Sequence, residues 1–178
     1  WCMIAICGNN PEKGIKYRHT WNIVKINGTY YHLDATFDNT LGKHSFDAKE
    51  IRYDYFNLDD KNIFRDHEPL IAPAPVCTDG DHFYYKEKKV SFTKTEDVYK
   101  RSLQAAKKGK MLTFHWRGGY LTRAVLDELL DLIKKAGEEK GKTARIALNW
   151  PQAVLRLEYV EDGQEKVTLE EANEGEQE

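Results

Sequence analysis

The sequence has no long apolar run, few cysteines and no excess of one charge, and each absence excludes a class of protein. No stretch approaches the roughly 20 apolar residues that a membrane-spanning helix requires. Three cysteines without zinc-type spacing exclude a disulfide-rich scaffold, although one disulfide with a free thiol and three free thiols both fit the count. A net charge of −2 over 178 residues provides no basic field for nucleic acid. The 40% of hydrophobic and 12% of aromatic residues are sufficient for a folded core.

The two ends of the chain differ from its middle. The chain opens on Trp1-Cys2-Met3-Ile4-Ala5-Ile6-Cys7, which has the pattern of a buried strand. Because proteins seldom begin within a strand, we expect the chain to be a fragment with sequence upstream of it. Residues 161–178 contain eight acidic residues and one lysine, which leaves a charge of +5 on the first 160 residues. This composition predicts a solvated, mobile acidic tail, and a tail that binds a partner is the alternative.

The first part of the chain, residues 1–74, has the pattern of an antiparallel sheet. His19–Ile26 and Thr29–Phe37 are rich in β-branched and aromatic residues, and Asn27-Gly28 between them tolerates the positive φ angles of a type I′ hairpin turn. The sequence then predicts a loop over Asp38–Lys49, a strand over Ile51–Leu58 and a short helix that begins at Asp59 or Asp60 and ends before His67.

Residues 75–160 have the pattern of a small α/β module, so the fold class expected for the whole chain is α+β. The predicted elements are a hairpin of His82–Tyr85 and Val90–Phe92, a helix from Thr95 to Gly109, a strand over Met111–Trp116, a helix over Leu121–Ala136, and strands over Ala144–Trp150 and Ala153–Val160. The module contains no motif that indicates a role.

The hairpin register brings a histidine and a carboxylate together. With a two-residue turn, Ile26 faces Thr29, and His19 and Asp34 become diagonal neighbours on one face at a Cα separation of about 5.5–8 Å. A carboxylate at that distance can orient an imidazole and stabilise its protonated form, as catalytic pairs require. The alternative is an ordinary surface pair that contributes under about 1 kcal/mol to stability.

A metal site is a competing interpretation of the same strands. His32 and Asp34 form an H-x-D pair, and His32 shares the predicted face with His19. Two histidines and one carboxylate are the donors of non-haem iron sites. In the predicted register, however, His32 lies two residues further from His19 than Asp34 does, which is a poor span for one ion. We therefore expect no metal and no cofactor.

The hairpin also carries a long motif that resembles a known family. His19–Asp38 reads H-T-W-N-I-V-K-I-N-G-T-Y-Y-H-L-D-A-T-F-D. This resembles the H-A-W-N, D-G or N-G turn and H-x-D-x-T-W/F-D pattern of bacterial transglutaminase-like domains. Tyr53–Leu58 and the later Asp66-His67 resemble the downstream Y-F-L/N-L and D-H segments of that family. The resemblance covers about residues 1–69 and implies the antiparallel core of the papain-like thiol enzymes.

The resemblance implies a Cys-His-Asp triad. His19 corresponds to the catalytic histidine and Asp34 to its orienting partner, while Trp21 is the candidate substrate-binding residue. In the family, the nucleophilic cysteine lies in a G-x-C-like turn that opens a helix, where the helix dipole and the imidazolium lower the thiol pKa. The thiolate attacks a glutamine carboxamide or a peptide carbonyl, and an amine or water resolves the acyl-enzyme. The implied partner is thus a protein or peptide substrate.

The nucleophile of that triad is not apparent in this chain. Cys2 and Cys7 lie in the apolar N-terminal run and Cys77 lies in a proline-rich loop, so none begins a helix beside a glycine. We therefore expect the fragment itself to be inactive and its parent to catalyse acyl transfer or amide hydrolysis. A non-catalytic module that binds peptide or cell-wall material on the same scaffold is the alternative. The resemblance suggests a secreted or cell-surface bacterial protein.

Without the helix that carries the nucleophile, the sheet is expected to expose apolar side chains. These are Met3, Ile4, Ile6 and Trp21. Because exposed apolar patches favour association, a homodimer through this uncovered core face is expected.

Overall fold

The computed structural model describes residues 2–10, 15–43, 51–69, 75–161 and 170–171 of the chain. Their fold is α+β, as expected, with one antiparallel sheet, one mixed sheet and five helices among the described residues. The chain divides into two compact units, and the division falls between Lys88 and Lys89. Within the described residues, no helix is long and apolar enough to cross a membrane.

The first unit is built on a five-stranded antiparallel sheet with the strand order β4-β3-β2-β1-β5. Its elements in chain order are β1 (Cys2–Asn10), β2 (Ile15–Ile26), β3 (Thr29–Leu33), α1 (Ala35–Lys43), β4 (Phe56–Leu58), α2 (Asp60–Ile63), β5 (His67–Pro69) and α3 (Tyr84–Glu87).

The β2–β3 hairpin has the predicted register. Ile26 pairs with Thr29 and Asn22 pairs with Leu33. The turn residues Asn27 and Gly28 have φ angles of 51° and 91°, which only glycine and asparagine adopt at low cost.

The predicted strand over Thr29–Phe37 is wrong in its second half. β3 ends at Leu33, and Asp34 then starts α1 because its Oδ1 accepts hydrogen bonds from the backbone N–H groups of Thr36 and Phe37, both at 3.0 Å. This pairing satisfies two N–H groups at the helix start and outweighs the strand propensity of the Thr and Phe side chains. The predicted loop over Asp38–Lys49 is accordingly helical as far as Lys43, and its remainder lies outside the described residues.

Two other elements of this unit differ from the sequence prediction. The strand expected over Ile51–Leu58 is limited to Phe56–Leu58, since Asp54 and Tyr55 form a turn. The hairpin expected around residues 82–92 is absent from this described segment. Tyr84–Glu87 form helix α3, whose Tyr85 is buried and donates a hydrogen bond to Asp54 at 2.7 Å.

The second unit contains a mixed sheet with the order β10-β8-β9-β7-β6 and two helices. Its elements are β6 (Ser91–Phe92), α4 (Thr95–Lys108), β7 (Leu112–Trp116), α5 (Arg123–Glu138), β8 (Lys142–Asn149), β9 (Val154–Glu161) and β10 (Glu170–Glu171). β9 lies between β7 and β8 and pairs antiparallel with both. β6 pairs parallel to β7, and β10 pairs parallel to β8. The helix–strand–helix–strand–strand order predicted from sequence is therefore confirmed.

The core of the second unit explains why its elements could be predicted. The apolar stripes of both helices pack on the sheet around fully buried side chains, including Phe114, Leu129, Ile133 and Leu155. Gly109 ends α4 in the left-handed conformation with a φ of 58°. The acidic tail expected over residues 161–178 contributes Glu170 and Glu171 to the sheet, and residues 162–169 and 172–178 lie outside the described part.

Candidate active site

Strand β2 places His19 and Trp21 on the inner face of the first sheet. Trp21 and Ile23 are buried while Thr20 and Asn22 are exposed, which is the alternation expected of a strand with one covered face. The His19 ring lies against Phe37, with ring centroids 4.9 Å apart. About 16% of the His19 side chain is accessible, so His19 lies at the edge of the buried region.

The contact expected between His19 and Asp34 is present. The Nε2 atom of His19 hydrogen-bonds to Oδ2 of Asp34. The paired strands do not extend to this point, and the N-terminus of α1 positions the carboxylate instead. The Asp34 backbone N–H donates to the carbonyl of Tyr55 at 3.0 Å, which fixes the residue from a second direction.

Burial and hydrogen bonding act in opposite directions on the Asp34 carboxyl. Burial alone raises its pKa, but hydrogen bonds from His19 and His67, and from the backbone N–H of Phe37, lower the pKa to about 2. Asp34 is therefore ionised at neutral pH, and its Oδ2 can stabilise a positive charge on an adjacent imidazole.

His67 is the site residue that the sequence interpretation did not identify as such. It lies at the start of β5, its Nε2 atom is 2.9 Å from Oδ2 of Asp34, and its Nδ1 atom is 2.7 Å from Oδ1 of Asp66. The Asp66-His67 dipeptide was part of the family resemblance. Its spacing in the sequence, however, gives no indication that it returns to Asp34.

The environment of His67 favours its doubly protonated form. Burial lowers its pKa, but hydrogen bonds to the Asp34 and Asp66 carboxylates outweigh burial and raise the pKa above its ordinary value. Since both ring nitrogens face carboxylate oxygens, each nitrogen must donate a proton. We call His19, Asp34, Asp66 and His67 the histidine–aspartate cluster.

Tyr55 connects this cluster to α1. Its hydroxyl donates to Oδ2 of Asp66 at 2.5 Å, and its backbone N–H donates to Oδ1 of Asp38 at 3.0 Å. Its ring centroid lies 5.3 Å from that of His67. Together with Phe37 and Trp21, it forms an aromatic wall around the buried imidazole of His67.

His32 does not belong to the same cluster. Its Nδ1 atom accepts a hydrogen bond from Trp21 Nε1 at 2.9 Å, and its Nε2 atom is 2.7 Å from Oδ1 of Asp60. Burial lowers its pKa despite the neighbouring Asp60, which indicates a neutral ring protonated on Nε2. The competing set of His19, His32 and Asp34 therefore does not form, and His67 occupies the position proposed for His32.

The position of Trp21 differs from both of its expected roles. Only 1% of Trp21 is accessible, so it neither belongs to an exposed apolar face nor offers a surface to substrate in this structure. Its indole is a structural support that joins His32 to the wall beside His67. Met3, Ile4 and Ile6, the other members of the expected face, lie in β1, whose side chains fall outside the described structure.

A cavity of about 310 Å³ lies on another side of α1. It is lined by Ala35, Asp38 and Asn39, which share one helix face, together with Arg52 and Tyr53. Phe37, which contacts His19, projects from the opposite face of the helix. The cavity is consequently separate from the histidine–aspartate cluster.

Cys77 is placed where a nucleophile is not expected. It is a buried free thiol, and burial together with the negative charges of Asp60 and Asp59 raises its pKa to about 12. A thiol with that pKa is almost entirely protonated at neutral pH. The expectation that Cys77 is not the nucleophile therefore agrees with its surroundings.

We predict that Cys77 does not react in the folded chain. Alkylation with iodoacetamide at pH 8, followed by peptide mass spectrometry, should label Cys77 at least about tenfold more slowly than a free cysteine. The same chain in denaturant should label at the free-cysteine rate. Fast labelling of Cys77 in the folded protein would contradict the burial and charge described above.

Two sets of side chains within the described residues have the donor atoms and proximity of metal ligands. One is His19, Asp34 and His67, and the other is His32, Asp60 and Cys77. In each set, one candidate donor atom from every residue lies within 4.8 Å of the others.

No protein-family model matches the chain, and no curated protein matches it. The role of the site is therefore inferred from the contacts of its own side chains.

His19 has one ring nitrogen that can accept a proton. When His19 donates its Nε2 proton to Asp34, its Nδ1 atom has a lone pair that can accept a proton. Among the described residues, the structure gives that Nδ1 atom no hydrogen-bond partner. A proton acceptor at the edge of a buried carboxylate site is the arrangement that general-base catalysis requires.

Proposed function

We propose that the chain carries the histidine and aspartate of a transglutaminase-like thiol enzyme that catalyses acyl transfer or amide hydrolysis. The first unit is then the C-terminal part of a papain-like core, and a cysteine earlier in the parent sequence supplies the nucleophile. The observation that carries this proposal is the contact between His19 and Asp34, which leaves His19 Nδ1 available at a partly accessible edge.

The electrostatics of the cluster support a thiolate–imidazolium pair. An ionised Asp34 accepts a hydrogen bond from Nε2 of His19 and orients its ring, and an imidazolium beside a thiol lowers the thiol pKa. His67 is charged as well, but Asp66 offsets its charge on the far side. Asp34 is thus held in place by His67 while its oxygen still accepts from His19.

The reaction then needs one proton carrier. The thiolate attacks the carbonyl carbon, a C–S bond forms, and the Nδ1–H of His19 protonates the departing amine or ammonia as the C–N bond breaks. In the second step, water or an amine attacks the thioester and gives a proton back to Nδ1 of His19. The C–S bond breaks and the thiolate is regenerated.

The proposal predicts a histidine-dependent reactive thiol in the full-length protein. A free thiol is only a few per cent ionised at pH 7, whereas the ionised fraction of one paired with His19 should be several-fold larger. Iodoacetamide should therefore label one cysteine about tenfold faster than the rest, and His19→Ala should remove that excess. The rate measured against pH should show a thiol pKa below about 7.5 in the wild type and near 8.5 in the variant, about the value of a free thiol.

His82→Ala provides the matched control. His82 is exposed, pairs with Glu87, and lies outside the histidine–aspartate cluster, so its loss should leave the labelling rate unchanged. Equal rates in the wild type and in His19→Ala, with both proteins folded, would refute the role given to His19.

A binding module without catalysis is the second candidate. It is favoured by Cys77, because the thiol whose surroundings are described is buried and protonated. If no cysteine of the full-length protein is labelled faster than a free thiol, the scaffold is better interpreted as a peptide- or cell-wall-binding domain.

A further inference from the structure

We propose that His19, Asp34 and His67 form a binding site for one divalent transition-metal ion of the Zn²⁺ class. The proposal uses His19 and Asp34, which also form the pair of the proposed function, but its test needs neither a thiol nor catalysis, so the two proposals can fail separately. The three residues come from β2, from the start of α1 and from β5. The Nε2 atoms of both histidines contact Oδ2 of Asp34, and one donor atom from each residue lies within 4.8 Å of the others.

The donor atoms define the class of ion. Two imidazole nitrogens and one carboxylate oxygen suit zinc, cobalt, nickel and iron, whereas calcium and magnesium prefer oxygen ligands. Zinc binds such donors at about 2.0–2.2 Å, which places tetrahedral ligand atoms roughly 3.3–3.6 Å apart. The 2.9 Å separation of His67 Nε2 from Asp34 Oδ2 is a hydrogen-bond distance, so it must lengthen by about half an ångström when an ion binds. The His19 contact is closer, so His19 at the accessible edge must move outward further.

The polar atoms of Asp34 and His67 that would not bind the ion already form hydrogen bonds, as such atoms do around metals in proteins. Asp66 accepts from the Nδ1 atom of His67, and a carboxylate in that position fixes the ring so that Nε2 faces the ion. The backbone N–H groups of Thr36 and Phe37 hold Oδ1 of Asp34, which leaves Oδ2 as a single donor. His67 and Asp34 are therefore oriented before an ion arrives, and His19 completes the site by a small movement.

Charge and access also agree with a divalent ion. The Asp34 and Asp66 carboxylates lie beside the two imidazoles, and their two negative charges match the charge of one M²⁺ ion bound to neutral imidazoles. His67 and Asp34 are almost fully buried and His19 is partly accessible, so an ion would enter past His19 and keep water on its open side.

The binding can be measured on the 178-residue chain itself. Equilibrium dialysis with Zn²⁺, followed by metal analysis, should give one ion per chain at about micromolar free zinc or below. A Co²⁺ titration should give visible d–d absorption without a sulfur-to-cobalt charge-transfer band. His67→Gln should weaken zinc binding by at least about 100-fold, and Asp66→Asn, which removes only the orienting carboxylate, by about tenfold.

Two controls separate this site from other zinc-binding groups. His82→Gln removes an exposed histidine and should leave the zinc affinity unchanged within about twofold, since no ligand is lost. Cys77→Ser removes the thiol of the second set of donors and should also leave it unchanged.

Four results would overturn the proposal. They are binding no tighter than millimolar, unaltered affinity in folded His67→Gln, loss of binding in Cys77→Ser, and a sulfur-to-cobalt charge-transfer band. If circular dichroism shows His67→Gln to be unfolded, His19→Gln at the accessible edge decides the question, with the same loss of affinity expected.

Discussion

Replacement of Asp34 by asparagine is expected to lower the free energy of unfolding by about 3 kcal/mol at pH 7. The side-chain oxygen of asparagine can still accept from the N–H groups of Thr36 and Phe37 at the start of α1. The loss of stability therefore arises at the position of the second carboxylate oxygen, Oδ2. An amide nitrogen in the place of Oδ2 would face the N–H donors of His19 and His67. One buried and one partly buried hydrogen bond to a charged acceptor would be lost, and N–H donors would face one another.

The same substitution should change the response to acid. The pKa of Asp34 is about 2 in the folded chain and near 3.8 without the fold. Its carboxylate therefore contributes stability that is fully present above about pH 4 and is lost as the pH falls through 2. The amide of the Asp34→Asn variant cannot be protonated in this range, so the difference between the two proteins should shrink toward low pH.

Urea denaturation monitored by circular dichroism measures this loss, and hydrogen exchange over residues 35–43 locates it at α1. Asp81→Asn is the matched control, because 94% of the Asp81 side chain is accessible and its change should stay within about 0.5 kcal/mol. Equal unfolding free energies for Asp34→Asn and the wild type would contradict the described role of Asp34.

The sequence was sufficient for features that depend on neighbouring residues. Asn27-Gly28 determines the turn, and the turn determines the register from Ile26–Thr29 to Asn22–Leu33. The predicted contact between His19 and Asp34 is present, although the start of α1 rather than a paired strand positions Asp34. The helices of the second unit were predicted for a similar reason, because each has a continuous apolar stripe and an end signal such as Gly109.

The sequence was insufficient where a polar side chain overrides local propensity. Thr36 and Phe37 favour a strand, but the Asp34 carboxylate bonds to their N–H groups and starts a helix. Trp21 looked like a surface residue of the motif, whereas its indole is buried and bonded to His32. Local composition does not reveal which of these hydrogen bonds will form.

The sequence was also insufficient for contacts between distant segments. His67 follows Asp34 by 33 residues and reaches it through β5, a strand of three residues with no alternating pattern of its own. The functional consequence is that Asp34 has two histidine partners instead of one. This second partner supports both the orientation of the carboxylate and the proposed metal site.

The second large effect is expected at Asp38, one turn along α1 from Asp34. Burial and the negative charge of Asp54 raise its pKa to about 8, and the hydrogen bond from the Tyr55 N–H offsets this only in part. The folded chain therefore holds a proton on Asp38 between about pH 4 and 8, where the unfolded chain does not. The free energy of unfolding of the protein should therefore fall by about 1.4 kcal/mol for each unit by which the pH rises in this interval.

Asp38→Asn should remove this dependence and stabilise the protein. Asparagine cannot ionise, and its Oδ1 can still accept from the Tyr55 N–H at 3.0 Å. The gain should be absent near pH 4, grow as the pH rises, and reach on the order of 4 kcal/mol at pH 7. Urea denaturation at pH 4, 5, 6 and 7 measures this gain. The exposed control Asp81→Asn should show the same pH dependence of the unfolding free energy as the wild type. If the unfolding free energy of Asp38→Asn has the same pH dependence as that of the wild type, Asp38 is ionised in the folded protein and the inferred buried proton is wrong.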